Sequence, residues 1–500
     1  MPMEDQKPHH VVLFPYLAHG HFIPFLALAE LIHRRYPTYT LTLVSTPLNV
    51  QNLLSSLPPT FPIRLRALPF SPSAHGLPST AESTADIPFD LFINLFQASE
   101  ALKPAFDQLI ADIIQEEGRP SLCIIADHFL GWTVQVARKH GVFHSIFITG
   151  GTYGTAVYFS LWTHLPHALT TSDEFSLPDF PDTRIHRSRL AKNILVADGA
   201  DSWSVFLQRQ ISLCSGTDAV LANTVEEFEN TGLRMLRRIM GIPVRPIGPL
   251  IRPPAFPSSS TADKNFIIGW LGLHPPGSVL YISFGSQNTI TASQMMELAM
   301  GLEASGRAFI WVIRAPVGFD IKGEFRADWL PEAFEERMRE RKVGLLQHGW
   351  APQLEILSHP STGAFLSHCG WNSVLESLSR GVPIIGWPLT ADQLYNSKKL
   401  VEEVGVCVEV ARTNIESTRV ERGEVSRVVK MAMGETEKGR EMRRRAEEIR
   451  EVMMGAWAEG VGSSVKGLEE FFRAVGSMRK ASGVRAPGEL HVDAPESVGR

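Results

Sequence analysis

The sequence predicts an α/β protein of two domains, each with a parallel sheet. Short apolar segments typical of strands alternate with helical segments in both halves of the chain. A run rich in proline and serine at residues 251–265 interrupts this alternation and is the best linker candidate. In addition, 500 residues are too many for one hydrophobic core, so two domains are the default.

The amino-terminal domain is predicted to span residues 1–250. It opens with a buried strand at residues 10–15, a glycine loop and a helix at residues 22–34, with Pro24 in the first turn, where proline is tolerated. This opening places a ligand site at the carboxyl end of the strand. Further strands are predicted at residues 39–45, 122–126, 145–149 and 219–223, helices at 89–113 and 132–141 with a helix start at 224–229, and loops at 59–88 and 170–197.

The carboxy-terminal domain is predicted to span residues 266–476 and repeats the same alternation, with a last helix that is able to pack back on the first domain. Strands are predicted at residues 279–284, 308–313, 344–348, 363–367 and 383–387, and helices at 293–305 and 435–451. Residues 477–500 have little apolar content and are predicted to be disordered. Two such domains leave a cleft lined by loops at strand ends, which suits an enzyme with two substrates.

Composition excludes several classes of protein. A net charge of −5 gives no reason to expect nucleic acid or an anionic membrane as a partner. The four cysteines form no CxxC pair, which argues against a disulfide scaffold and a zinc site and favours the cytoplasm. The apolar run at residues 11–32 lacks a preceding basic region and contains Pro15, Gly20 and Pro24, so we expect neither a signal peptide nor stable membrane insertion.

The densest group of unusual residues is the stretch at 350–393, called the box below. After a predicted strand, the turn HCGWNS starts a short helix whose free N–H groups form an anion site suited to a diphosphate. Gly370 permits close approach, and His368, Asn372 and Ser373 can donate hydrogen bonds. Ser373 and Glu376 also have capping-box spacing, and a plain capped helix is an equally good interpretation of this turn.

Other parts of the box have two interpretations as well. Trp350 is held extended by the following Ala-Pro and can stack on a base, whose edge Gln353 can read; a single tryptophan is more often core. Glu376 can accept from two ribose hydroxyls. The pair Asp392 and Gln393 suits a sugar, although such a pair is more often a solvated loop. Together, these pieces fit a nucleotide sugar.

The box resembles the signature box of plant family 1 UDP-dependent glycosyltransferases, which modify small molecules. WAPQ, HCGWNS, GVP, WP and DQ match without a gap, and Ser367 stands where threonine is common. The segments FPYLAHGHFIPFLALA, IIADHFLGW, FGS and IGPL are also similar to the family. The resemblance implies two Rossmann-like domains facing across a cleft, the GT-B fold, and an inverting hexosyltransferase that uses UDP-glucose.

The resemblance also implies a role for each matching residue. The residues that would bind the UDP-sugar are Ser286, Trp350, Ala351, Gln353, His368, Gly370, Trp371, Asn372, Ser373, Glu376, Asp392 and Gln393. Within this set Trp350 would stack on uracil and Glu376 would hold the ribose. Gln393 favours glucose over galactose, and Trp371, which stands in place of arginine, argues against glucuronate.

His21 would be the catalytic base and Asp127 its partner, since both match catalytic positions of the family. His19, where the family often has glutamine, is not at the base position. A hydroxyl deprotonated by His21 would attack the anomeric carbon in line, and UDP would leave with inversion. No metal is expected, and the UDP-sugar is a co-substrate.

The acceptor is predicted to be lipophilic, such as a flavonoid or another phenol, because the candidate acceptor residues are aromatic: Tyr16, Phe89, Phe92, Phe96, Phe129 and Tyr153. Part of this set is expected to be ordinary core. Terpenoid, sterol or hormone acceptors and other UDP-sugars stay open as alternatives. A catalytically silent sugar-nucleotide binder and a polymerising or lipid-linked transferase are further alternatives. We expect a monomer.

Overall fold

Fifteen strands form three sheets in the part of the chain that the structure, a computed structural model, describes: residues 9–118, 123–252, 260–320 and 323–483. The first sheet has seven parallel strands in the order β3-β2-β1-β4-β5-β8-β9, and β6 and β7 form a separate antiparallel hairpin. These strands are β1 (His10–Phe14), β2 (Thr40–Ser45), β3 (Arg64–Ala67), β4 (Cys123–Asp127), β5 (Phe143–Ile148), β6 (Glu174–Leu177), β7 (Phe180–His186), β8 (Ala219–Ala222) and β9 (Val244–Pro246).

The second sheet has six parallel strands in the order β12-β11-β10-β13-β14-β15. They are β10 (Val279–Ser283), β11 (Ala308–Val312), β12 (Gly344–Gln347), β13 (Thr362–Ser367), β14 (Ile384–Gly386) and β15 (Cys407–Glu409). Because parallel strands need crossover connections, helices cover both faces of each sheet.

The helices carry numbers in chain order. They are α1 (His19–Arg35), α2 (Pro47–Ser56), α3 (Phe92–Ala98), α4 (Lys103–Glu117), α5 (Thr133–His140), α6 (Thr152–His164), α7 (Lys192–Leu195), α8 (Ser202–Cys214), α9 (Asn230–Met240), α10 (Thr261–Leu271), α11 (Ala292–Ser305), α12 (Phe334–Glu340), α13 (Gln353–Ser358), α14 (Trp371–Leu378), α15 (Gln393–Lys399), α16 (Arg422–Met433), α17 (Glu437–Gly455) and α18 (Ser463–Gly483). A π-helical turn at Leu400–Val404 extends α15.

The strand orders position the site. In the first sheet the connections reverse direction between the neighbours β1 and β4, and in the second between β10 and β13. The carboxyl ends of strands flanking such a reversal form a crevice that takes ligands. The order confirms the prediction of two Rossmann-like domains.

The last helix, α18, belongs to the packing of the first sheet. Its side chains Leu468, Phe471 and Phe472 are buried in the same apolar cluster as Val11 and Leu13 of β1. Trp457 and Ser464 also donate hydrogen bonds to the carbonyl groups of residues 249 and 248. The end of the chain therefore returns to the amino-terminal domain.

Several predicted boundaries were wrong. Helix α1 begins at His19 rather than residue 22, so His21 lies in its first turn. The predicted loop 59–88 contains β3, and the predicted loop 170–197 contains the β6–β7 hairpin and α7, because prolines masked short strands. Residues 224–229 are not helical, since α9 begins at Asn230.

The linker and tail predictions also need correction. Ser260 caps α10, which begins at Thr261, so the carboxyl part of the predicted linker 251–265 is helical. Helix α18 continues to Gly483, past the predicted start of the tail at 477. Residues 1–8 of the first domain, residue 122 of a predicted strand, 253–259 of the linker and 484–500 of the tail lie outside the described residues.

Candidate active site

A cavity of about 340 Å³ lies between the carboxyl ends of the two sheets. Its walls contain residues of both domains, including all the predicted site residues except Asp127 and Tyr153. The two strand reversals explain this gathering, because His21 follows β1, whereas Ser286 follows β10 and His368 follows β13. The predicted site residues therefore share one cleft, although 377 positions of sequence separate Tyr16 from Gln393.

His21 and Asp127 form a hydrogen-bonded pair at the wall of the cleft. The Nδ1 atom of His21 lies 2.6 Å from Oδ2 of Asp127, and the Thr149 hydroxyl oxygen lies 3.1 Å from the same nitrogen. Asp127 is fully buried at the end of β4, whereas the His21 side chain is 20% exposed. A carboxylate at Nδ1 favours the tautomer with the proton there and leaves Nε2 able to accept a proton.

Asp127 stays ionised although it is buried. Burial raises the pKa of its carboxyl group, but the positive charges available to His21 and His128 and the hydrogen bonds from His21 and the Phe129 amide outweigh burial and hold the pKa below its usual value. Burial lowers the pKa of His128 to about 4, so this second imidazole is charged only in the acidic range where a carboxyl group titrates, and it is neutral at neutral pH. An anionic carboxylate can orient the His21 imidazole and stabilise its protonated form.

Trp350, Gln353 and Glu376 lie together in the carboxy-terminal half of the cleft. Gln353 Nε2 donates to Glu376 Oε2 at 2.6 Å and to the Ser373 hydroxyl at 3.2 Å. The Tyr281 hydroxyl donates to Gln353 Oε1 at 3.1 Å. Gln353 thus fixes the Glu376 carboxyl group at the cavity wall.

The interpretation of Ser373 and Glu376 as a capping box was wrong. Gly370 is the N-cap of α14, no side chain caps this helix end, and Ser373 is already its third residue. Glu376 bonds to Gln353 instead.

Burial raises the pKa of Glu376 to about 7, although the hydrogen bond from Gln353 and the charge of Arg380 act to lower it. A carboxyl group at the cleft whose pKa lies near neutral pH is a candidate hydrogen-bonding partner for hydroxyl groups of a ligand.

His368 is enclosed by two glycines. A Cβ atom would lie 2.6 Å from His368 Nε2 if added at Gly285 and 2.4 Å away if added at Gly370, and Gly285 also has a φ of +80°. Only glycine leaves room for the imidazole at these two positions. Burial, together with the charge of Arg314, lowers the pKa of His368 to about 4, so it is a neutral hydrogen-bonding group.

The backbone is strained beside two of these residues. Cys369 has a φ of 62° and Ala391 a φ of 53°, although neither is glycine. They flank His368 and Asp392, respectively. Strain of this kind costs about 1 to 3 kcal/mol and persists where the surrounding structure enforces it, often at functional sites.

The amino terminus of α14 faces the cavity and contacts the first domain. Asn372 Nδ2 donates to the Gly20 carbonyl at 2.9 Å, and Trp371 Nε1 donates to the Asn223 carbonyl at 2.7 Å. Trp371 also stacks on Phe228, with ring centroids 5.8 Å apart. The first bond joins the box to the helix that carries His21, and the second joins it to the residue that follows β8.

Asp392 and Gln393 form the wall next to His21. The Gln393 Oε1 atom accepts from the backbone amides of Leu389 and Thr390 at 3.1 and 3.2 Å, so its NH₂ group is the part that can donate to a ligand. Asp392 accepts from Asn396 Nδ2 at 3.0 Å. Burial raises the pKa of Asp392. The pair can hold a polyol by one donor and one acceptor.

Aromatic side chains line the amino-terminal half of the cleft. Tyr16 stacks on Phe96 at 4.5 Å between centroids and meets Phe129 edge-on at 5.3 Å. Phe89 and Phe92 lie 5.2 Å apart at the same wall. Such a surface favours a flat apolar ligand beside the imidazole of His21.

Tyr153 was wrongly placed in this group. Its amide donates to the buried Glu229, and Lys399 lies 5.4 Å from its ring centre, away from the cavity. Sequence analysis did not predict α6, whose cavity face carries Thr155 and Tyr158, three residues apart. The three-residue spacing of Thr155 and Tyr158 is typical of one face of a helix and was the signal that could have identified them.

Other lining residues were also missed, because their signals were weak or absent. His128, Trp203 and Arg314 reach the cavity. His128 lies in the segment IIADHFLGW but was given no role, and the other two belong to no predicted motif. His128 follows Asp127 directly, and its Nδ1 atom lies 3.4 Å from Asp127 Oδ1. Its position next to Asp127 was a usable signal for His128, whereas nothing in the sequence marked Arg314.

Three further observations concern metals, membranes and cysteines. The described residues contain no group of three or more histidine, cysteine, aspartate or glutamate side chains placed to hold a metal ion. None of the described helices is long and apolar enough to cross a membrane. All four cysteines are free and buried.

Comparison with known proteins gives consistent matches. Residues 270–431 match the family model described as UDP-glucoronosyl and UDP-glucosyl transferase. The chain is 43% identical over 479 residues to UDP-glycosyltransferase 92A1 of Arabidopsis thaliana, covering 94% of this chain and 98% of that one. It is 47% identical over 435 residues to crocetin glucosyltransferase 3 of Crocus sativus, covering 83% and 89%.

A solved structure is similar over nearly the whole chain. It is that of Phytolacca americana UGT2 complexed with UDP-2fluoro-glucose and pterostilbene. The TM-score is 0.75 at 28% identity, covering 94% of this chain and 100% of that one.

Proposed function

The chain belongs to the plant family of UDP-glycosyltransferases, and on that premise we propose that it transfers glucose from UDP-glucose to a hydroxyl group of a lipophilic phenol. The observation that carries this proposal is the 2.6 Å contact between His21 and Asp127 in the wall of a cleft whose opposite wall is the box. A silent sugar-nucleotide binder has no need of an imidazole paired with a buried carboxylate. The pair therefore favours the enzyme over the binder.

The proposed reaction is a single displacement. Nε2 of His21 takes the proton of the acceptor hydroxyl, and that oxygen forms a bond to the anomeric carbon of the sugar. The bond from this carbon to the β-phosphate oxygen breaks on the opposite face, and UDP leaves with the electron pair. One displacement inverts the configuration, so an α-linked donor gives a β-glucoside.

The donor side supports glucose. The NH₂ group of Gln393 and the carboxyl group of Asp392 can bind sugar hydroxyls. Trp371, which the resemblance places beside the sugar, has no charge to attract a sugar carboxylate. Glu376, held by Gln353, can accept hydrogen bonds from the ribose. Trp350 provides a flat face for the base.

The acceptor side supports a neutral aromatic molecule. The aromatic wall contains Tyr16, Phe89, Phe92, Phe96 and Phe129, and the rings of Tyr16 and Phe129 lie 5.6 Å from the His21 ring. One structural neighbour was solved with pterostilbene, which fits such an acceptor.

We also propose that the transfer needs no added metal. The amino terminus of α14, His368 and Ser286 are available to hold the diphosphate. Activity after dialysis against EDTA should equal that of the untreated protein. Loss that Mg²⁺ restores would contradict this part of the proposal.

A donor and acceptor screen tests the proposed function. The purified protein is incubated with UDP-glucose, UDP-galactose, UDP-xylose or UDP-glucuronate and with phenolic or terpenoid acceptors, and products are identified by mass spectrometry and NMR. We expect β-glucosides of phenols with UDP-glucose as the best donor. An α-linked product, or no UDP release with any donor, would contradict the proposal.

A further inference from the structure

A buried arginine lies in the donor half of the cleft. Arg314 follows β11 by two residues, between the ends of the neighbouring strands β10 and β12. Its Nη1 atom donates to the Ser286 carbonyl at 2.6 Å, and its guanidinium carbon lies 5.7 Å from the centre of the Trp350 ring. Arg314 therefore joins the turn after β10 to the tryptophan after β12, and it lines the cavity.

This cation lacks the partner that other enclosed arginines have. Arg189 forms a bidentate pair with Glu409 at 2.9 Å, and Arg252 pairs with Glu30 at 3.1 Å. Within the described ranges, no carboxylate lies within ion-pair distance of Arg314. Burial lowers the pKa of its guanidinium, yet arginine remains protonated in proteins. An enclosed charge is costly without an opposite charge, so an anion is expected beside it.

The surroundings of Arg314 indicate which anion. The turn that it holds, Gly285-Ser286, touches His368, because a Cβ atom at Gly285 would lie 2.6 Å from His368 Nε2. Arg314 is close enough to His368 to lower its pKa. These groups, with the amino terminus of α14, surround the place where a diphosphate would lie if the proposed function is right.

We propose that Arg314 binds the diphosphate of the UDP-sugar and stabilises the negative charge that UDP gains as it leaves. A guanidinium has five N–H donors, of which one is bonded to the Ser286 carbonyl, and its planar fork matches phosphate oxygens. This inference rests on the proposed function and adds to it a charged donor-site residue that lies outside the box.

A simpler role has to be separated from this one. Arg314 can support Trp350 by a cation–π contact, which would strengthen stacking on the base alone. If Arg314 only supports Trp350 against the nucleobase, its replacement should weaken the binding of uridine and of UDP equally. A phosphate-binding role predicts a loss for UDP that uridine does not share.

Two substitutions of Arg314 and one control test the inference. Arg314→Gln removes the charge but keeps an amide that can donate to the Ser286 carbonyl, and Arg314→Lys keeps the charge without the fork. Isothermal titration measures the Kd values of uridine, UMP and UDP at fixed ionic strength. Arg307→Gln, at the opposite end of β11 and outside the cavity lining, is the matched control.

We expect UDP affinity to fall in the order wild type, Arg314→Lys, Arg314→Gln, with a loss of about 10- to 100-fold for Gln. Uridine affinity should change less than about threefold, and Arg307→Gln should behave as wild type. UDP affinity that is unchanged in Arg314→Gln, or equal losses for uridine and UDP, would overturn the inference. If Arg314→Gln does not fold, the same comparison in Arg314→Lys decides.

Failure of this inference is distinguishable from failure of the proposed function. If the wild type transfers sugar and Arg314→Gln binds UDP normally, only the role of Arg314 is refuted. Wild-type protein that binds no UDP and transfers no sugar refutes the proposed function itself.

Discussion

The side-chain amide of Asn372 donates a hydrogen bond of 2.9 Å to the backbone carbonyl of Gly20, the residue before His21. The first residue belongs to α14 and the second to α1, so the bond crosses from one domain to the other. The position of the His21 imidazole therefore depends on α14, the helix whose amino terminus faces the donor half of the cleft.

Asn372→Ala tests this dependence. The substitution removes the bond across the cleft, whose net contribution is about 1 kcal/mol, and a displaced base slows proton transfer. We expect kcat to fall about tenfold or more, with a melting temperature within about 2 °C of wild type. Steady-state kinetics and thermal melts check this, and an unchanged kcat would show that the bond does not position His21.

Gly370→Ala should damage the donor site. The new Cβ atom would lie 2.4 Å from His368 Nε2, so the imidazole has to move. We expect UDP to bind at least about tenfold more weakly by titration calorimetry. Gly423→Ala is the control, because a Cβ atom there meets nothing within 4 Å and the residue lies in α16. Equal UDP affinity in both variants would contradict the role of His368.

Glu376→Gln should change how stability depends on pH. The carboxyl group has a pKa near 4.5 when unfolded and about 7 when folded, so between these values the folded protein holds more protons. Its contribution is therefore fully present below pH 4.5 and is lost as pH rises to about 7, on the order of 3 kcal/mol in total. Glutamine does not titrate.

Urea unfolding of the wild type and Glu376→Gln at pH 5 and pH 8 measures this. We expect the stability of the variant relative to wild type to increase from pH 5 to pH 8, with UDP-glucose affinity reduced at both. A relative stability that is constant with pH would mean that Glu376 titrates normally in the folded protein.

Phe92→Ala should weaken binding of the acceptor and spare the donor. Phe92 lines the cavity beside Phe89, and truncation removes about 1.5 kcal/mol of apolar contact for a half-buried ring. We expect the acceptor KM to rise about tenfold and the UDP-glucose KM to stay constant. Tyr153→Phe, away from the cavity, should alter neither value. If both substitutions raise the acceptor KM alike, the aromatic wall is wrongly assigned.

Sequence analysis placed site residues best where they lie at the carboxyl end of a strand and also match a motif of the family. His21 and His368 follow a recognisable apolar strand and Asp127 ends one, and parallel sheets bring the carboxyl ends of neighbouring strands together. The two strand reversals are a property of the whole chain, but the alternation of strands and helices was enough to predict the fold class.

Other features depended on partners distant in sequence. Ser373 and Glu376 have the spacing of a capping box, but Gln353, on another helix, takes the carboxylate. Tyr153 has the aromatic character of the acceptor wall, but the direction of α6 turns it towards Lys399. Arg314 belongs to no motif, and its position is apparent only when β10 and β12 are known to flank β11.

The most direct test of the account is turnover and UDP binding in His21→Ala, measured on the same preparation. The account predicts that kcat falls by about 100- to 10,000-fold, because the general base is lost, while the Kd of UDP changes less than about threefold, because the donor is held by the opposite wall. Turnover within about tenfold of wild type would contradict the assignment of His21 as the base.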